Sequence, residues 1–161
     1  MKRLVLILSV GLLLASCGST NKVVKESRKT LKGTWSLDNI NYGDADGVYK
    51  VKLLEDVSSE CFVGSTWEFI PNNNFGNYEI TGADCAGGKR YFVWTIPGGK
   101  SMTNYDILLK PTDKKMNSTM NNEGFRLNLD YLADDSLRLT QTLQVNGKPF
   151  TINMNFSKIS D

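Results

Sequence analysis

The sequence contains no histidine. That absence removes the commonest general base, the serine–histidine–aspartate nucleophile arrangement and histidine-held metals. Cysteine is scarce, at positions 17, 61 and 85. No membrane-length apolar run is present either. The run Leu4–Ala15 is about 12 residues long, and a helical span needs about 20. Net charge of one sign is also missing once the N-terminus is considered. Removing Met1–Ser16 takes the cations from 19 to 17, equal to the 17 acids. No basic field remains to draw in nucleic acid, which is not expected as a partner.

The N-terminus is the most directly interpretable part of the chain. Lys2-Arg3, the apolar run and the small residues before a cysteine read as a secretory signal peptide, 1–16. Leu14-Ala15-Ser16-Cys17 resembles the bacterial lipobox. The resemblance implies cleavage before Cys17, which then carries a thioether-linked diacylglycerol and a third, palmitate-type chain on its amine. Two or more chains suffice for stable anchoring. The expected address is the cell envelope, lipid-anchored, at the outer membrane. A cleaved but unacylated chain would leave Cys17 as an odd free thiol in an oxidising compartment, which secreted proteins tend to avoid.

The remaining pair, Cys61 and Cys85, reads as a disulfide. Thr66–Ile70 and Phe75–Ile80 look like strands joined by a turn at Pro71–Asn74, and the cysteines lie twelve residues either side of Asn73. A hairpin brings such positions together. Closing that loop is worth about 3 kcal/mol in chain entropy.

From Gly33 onward the hydrophobic period is two. Residues 17–32 form the lipidated N-terminus and a polar, basic tether, read as a solvated spacer in preference to a short helix through Val23–Thr30. The eight expected strands are Thr34–Tyr42, Thr66–Ile70, Phe75–Ile80, Arg90–Ile96, Asn104–Lys110, Gly124–Leu132, Ser136–Val145 and Phe150–Lys158. One short helix is expected at Tyr49–Ser59, and Pro111 is expected to stop the fifth strand. Phe125, Leu127, Leu129 and Tyr131 alternate with Arg126, Asn128 and Asp130. One wet and one dry face per strand is antiparallel behaviour. The expected fold is an all-β, eight-stranded antiparallel up-and-down barrel over residues 33–161, closed so that no edges remain.

Gly33-Thr34-Trp35 opens the first strand, and the second carries Trp67-Glu68-Phe69. Here the chain resembles the lipocalins, and more closely the lipocalin-like lipoproteins of Bacteroidetes. The resemblance covers roughly Leu31–Ile159 and implies a calyx with a small-molecule cavity. Lipocalins also pack an arginine on the first-strand tryptophan. Arg138, the last arginine, has outward parity, so Lys148 or Lys158 is the candidate cover for Trp35.

Inward parity collects Trp35, Trp67, Phe69, Tyr78, Phe92, Trp94, Tyr105, Phe125, Tyr131, Phe150 and Phe156. These rings either fill the barrel or wall a cavity. Trp67, Phe69, Tyr78, Trp94 and Tyr105 are the candidate ligand-binding residues, with Gln141, an amide in an inward slot between Leu139 and Leu143. Buried amides need partners or water, which a wet cavity supplies. Asn39 and Asn41 share the inward parity of Trp35, but Ile40 and Tyr42 suggest a bulge that reverses it.

Catalytic machinery is not indicated, and the chain is not expected to be an enzyme. The acids fall in turns, and Asp44-Ala45-Asp46-Gly47 lacks the further ligands of a calcium loop. Gly87-Gly88-Lys89 lacks phosphate-loop spacing. No cofactor or metal is expected. The leading reading is a membrane-anchored barrel that binds a small apolar or amphiphilic ligand. The alternative is a filled barrel that docks another envelope protein. The Thr112–Glu123 loop, longer than a hairpin needs, marks where such docking would occur.

Overall fold

The computed structural model describes residues 18–43, 49–97 and 105–161; of residues 18–21 and 105 only the backbone is described. Cys17 and the Asp44–Gly47 turn lie outside the described residues. The chain runs α1 (Gly18–Leu31), β1 (Gly33–Asn41), β2 (Lys52–Leu53), β3 (Val57–Ser58), α2 (Ser59–Phe62), β4 (Thr66–Ile70), β5 (Phe75–Ile80), β6 (Gly88–Thr95), β7 (Tyr105–Thr112), β8 (Phe125–Leu132), β9 (Ser136–Val145) and β10 (Lys148–Ser160). Eight strands close a barrel in the order β1-β10-β9-β8-β7-β6-β5-β4, and every pairing is antiparallel. The β2–β3 pair lies outside it. β1 therefore joins both neighbours, β10 and β4, and the meander has no free edge.

Local chemistry explains the turns. Pro71–Asn73 forms one 3-10 turn, ended by Asn74 with φ 52°. Asn146 and Gly147 join β9 to β10 with φ 52° and 74°, the two positive values a tight hairpin turn requires. Register also follows sequence at β1. A shift between Leu37 and Asn39 turns Asn39 and Asn41 outward, where they accept hydrogen bonds from Asn155 and Asn153. The opposite occurs at β8. A shift between Leu129 and Tyr131 leaves Tyr131 49% exposed, so its expected inward place is corrected. Pro111 does not stop β7, which continues to Thr112. β8 pairs only as far as Leu109, so the missing Pro111 N–H falls where β7 has no β8 partner.

Two segments depart from expectation. The stretch expected as a solvated spacer is the helix α1, and it docks. Ser27 and Leu31 are buried, and Val24 packs against the core. These positions recur at i, i+3 and i+7, one helical face. Burying Leu31 alone contributes about 2 kcal/mol. The second departure is Tyr49–Ser59, expected as a helix. It forms the β2–β3 hairpin, and only the following turn, α2, is helical. Leu54 and Glu55, at φ 51° and 55°, are left-handed, which costs roughly 1–2 kcal/mol each. Burial of Leu53 and Leu54 against the barrel overrides local helix preference.

Candidate functional site

The barrel has two ends of different character. One end, the base, gathers Gly33, the Pro71–Asn74 turn, the β8–β9 turn and the end of β10. Helix α1 covers it. Trp35 is fully buried here, and its Nε1–H donates to the Leu31 carbonyl at 2.9 Å. The Lys158 ammonium stands 5.3 Å from the Trp35 ring centroid. Lys158, and not Lys148 at the far end of β10, supplies the cation. Arg28 lies 5.2 Å over the Trp94 ring and donates to the Pro71 carbonyl and Asn74 Oδ1. Arg138 is outward, as expected, and bonds Asn155 and Asp130.

The middle of the barrel is packed ring on ring. Trp67 meets Tyr78 at 4.8 Å, Phe156 at 5.6 Å and Phe92 at 5.9 Å between centroids. Phe69 meets Trp94 at 5.6 Å. Trp67 and Trp94 satisfy their indole N–H groups on Ser65 Oγ and the Phe75 carbonyl. Aromatic pairs in these geometries add about 0.5–1.5 kcal/mol each beyond area burial.

The other end is the mouth, and residues 49–65 lie across it. Leu53, Leu54 and Phe62 from this segment are buried. Phe62 reaches Tyr78 at 5.2 Å and Trp67 at 6.1 Å between centroids. A polar latch holds the segment. Asp56 Oδ2 accepts from Tyr78 Oη at 3.0 Å and from Arg90 Nε at 2.9 Å. Arg90 donates further to the Gly88 and Ala86 carbonyls. Burial pushes the Tyr78 phenol far above its ordinary value, and the Asp56 carboxylate adds to the effect against the opposing pull of Arg90. Tyr78 is therefore a neutral donor throughout the physiological range. The Cys61–Cys85 disulfide, with Cα atoms 5.8 Å apart, ties the same segment to the β5–β6 loop.

Beside the latch lies a cleft of about 480 Å³, within the size range of small-molecule sites. Leu54, Phe92, Leu109 and Met120 give it apolar walls, while Tyr78, Asp56 and Arg90 give it a polar side. Thr112 also lines it, and its buried Oγ1 has no hydrogen-bond partner among the described residues. The 113–124 loop forms the outer wall. Asp113 shapes that loop by accepting from the Lys115 and Asn117 amides and from Asn117 Nδ2.

The candidate residues read from sequence do not converge on one place. Tyr78 lines the mouth cleft, but Trp67 belongs to the packed middle and Phe69 faces the base. Trp94 also sits toward the base, under Arg28. Gln141 is half-buried opposite Ile152, away from the mouth cleft. The Tyr105 side chain lies outside the described residues. Sequence reasoning missed Leu54, Asp56, Arg90 and Met120. Arg90 had a readable signal, since it shares the inward parity of Phe92 and Trp94. Asp56 had none, because it lay in an expected helix. Among the described residues no group of three acids or cysteines is placed to hold a metal, and no helix is long and apolar enough to cross a membrane.

A family model described as a lipocalin-like domain matches residues 31–129. No curated protein matches the chain. Among solved structures, the chain is similar to a lipocalin-like protein from Bacteroides uniformis ATCC 8492. The two share 14% identity and a TM-score of 0.47, over 81% of this chain and 99% of that one.

Proposed function

Because the chain belongs to the lipocalin-like domain family, we propose that it is a lipid-anchored, non-catalytic envelope protein whose mouth cleft binds a small amphiphilic molecule. The observation that carries this reading is the composition of that cleft. Apolar walls from Leu54, Phe92, Leu109 and Met120 stand against the Tyr78–Asp56–Arg90 latch and the unpartnered Thr112 hydroxyl. An amphiphile with a hydrogen-bonding head would satisfy both sides. The packed rings of the middle favour a ligand held at the rim over one deep in the calyx. The same packing gives a second reading, a filled barrel that docks an envelope partner through its rim.

Native mass spectrometry of the protein taken from its own envelope tests occupancy. A co-purifying small amphiphile supports the first reading. Titration with 1-anilinonaphthalene-8-sulfonate tests the place. Met120→Glu is expected to weaken dye binding about tenfold or more with the thermal unfolding midpoint unchanged. Equal dye affinity in that variant, with no small molecule in the native spectra, leaves the docking reading in its place.

A further inference from the structure

The base, opposite the mouth, carries a feature that ligand binding at the rim does not use. Helix α1 presents Lys22, Lys25 and Lys29, continued by Lys32, at spacings of three, four and three residues. That spacing sets them in one stripe along the helix. All four are exposed, and Lys25 and Lys29 form no ion pair among the described residues. Beside the stripe runs a cleft of about 760 Å³ between α1 and the ends of β1 and β4. Lys25, Arg28, Lys29 and Lys32 line one side, and Val24, Phe69, Ile70 and Pro71 supply apolar surface. The two acids that line it are already engaged. Glu68 accepts from Asn77, and Asp161 pairs with Lys158.

We propose that this base face docks on anionic phospholipid, with phosphate heads among the α1 lysines and the adjoining cleft taking the glycerol and upper acyl region. Charge complementarity carries the choice of occupant. In the cleft four cations meet two acids, and Glu26, Asp134 and Asp135 lie on the other flank of α1 beside Lys29, so the positive excess belongs to the stripe and cleft side of the helix. Position agrees with it. The helix begins at Gly18, immediately after Cys17, and fourteen residues extend only about 21 Å. A chain held by acyl groups at Cys17 would keep the stripe within that distance of the bilayer. The base then lies on the membrane and the mouth points away from it. Occupancy of the mouth has no bearing on this.

Flotation of the 18–161 chain with vesicles tests the proposal without the acyl anchor, since these residues close the barrel and seat the helix by themselves. Binding is expected to phosphatidylcholine vesicles containing phosphatidylglycerol and not to phosphatidylcholine alone, and it should fall with added salt. Lys25→Gln, Lys29→Gln and Lys32→Gln should each weaken it about fivefold, the worth of one lysine near an anionic surface. Lys89→Gln and Lys114→Gln, at the mouth, should leave it unchanged. Equal binding to both vesicle types, or equal losses from the mouth variants, overturns the proposal. So does inorganic phosphate without vesicles protecting the α1 amides from hydrogen exchange as strongly as the vesicles do, which would mark a soluble-anion site.

Discussion

Gly76 shows how little slack the interior has. A Cβ built there would collide with the Phe92 ring and lie 2.6 Å from the Glu68 carbonyl oxygen. Gly76→Ala is expected to destabilise the protein by about 1–3 kcal/mol through overpacking. Chemical denaturation checks this, and a change below about 0.5 kcal/mol would mean the ring can move aside. Gly33 has a different reason to be glycine. Its φ is +115°, and a side chain would meet the Ser160 carbonyl where β1 joins β10. The Gly-x-Trp start is thus physical. Glycine allows the turn out of α1, and Trp35 then reaches back to the Leu31 carbonyl. Thr112 is the contrary case, a buried hydroxyl without a partner among the described residues, at an ordinary cost of roughly 1–3 kcal/mol.

At the scale of elements, the segment over the mouth is held by side chains and one covalent tie. The disulfide spans a sequence separation of 24, and its loss should lower unfolding free energy by about 2–4 kcal/mol. Thermal or denaturant unfolding of Cys61→Ala/Cys85→Ala against the parent measures it. Two free thiols in the oxidised, denatured parent would remove the premise. The pairing was legible because the hairpin turn centres on Asn73. The segment it ties was not. Leu53, Leu54 and Phe62 are apolar at mixed spacings, and only the barrel interior, where Phe62 meets Trp67 and Tyr78, tells them where to go. The 113–124 loop makes a pH prediction. Hydrogen bonds from the Asn117 side chain and amide hold the Asp113 carboxyl below its ordinary value. A lowered folded-state value means its contribution is complete above the unfolded value, near 3.8. It is lost as pH falls through the folded value. The Asn117 and Lys115 amide resonances should therefore stay fixed down to about pH 4 and shift below it. Shifts that begin at higher pH would count against the Asp113 turn.

The molecule as a whole is polarised. The base combines α1 and its lysines, while the mouth carries the latch and the amphipathic cleft. Acylation at Cys17 would fix that polarity in the envelope. Cys17→Ser is expected to yield an uncleaved precursor or a released chain, read by membrane fractionation and intact mass. Unchanged fractionation and cleavage would rule out the lipid anchor.

Strand alternation, turn residues and the even cysteine pair determined the barrel, its meander and the disulfide, because each rests on local periodicity or on a hairpin that local residues specify. Outward Arg138, the β1 bulge at Asn39 and a lysine covering Trp35 belong to the same class, since parity along a strand decides them. Tertiary structure alone decided the rest. Helix α1 forms and docks because Val24, Ser27 and Leu31 find the open base, which a fifteen-residue polar stretch does not announce. Tyr49–Ser59 gives up its helix because the mouth can bury Leu53 and Leu54. The candidate cleft was decided in the same way. Inward parity marks many aromatics equally, and only the closed barrel shows which rings pack against each other and which, like Tyr78, border a cleft.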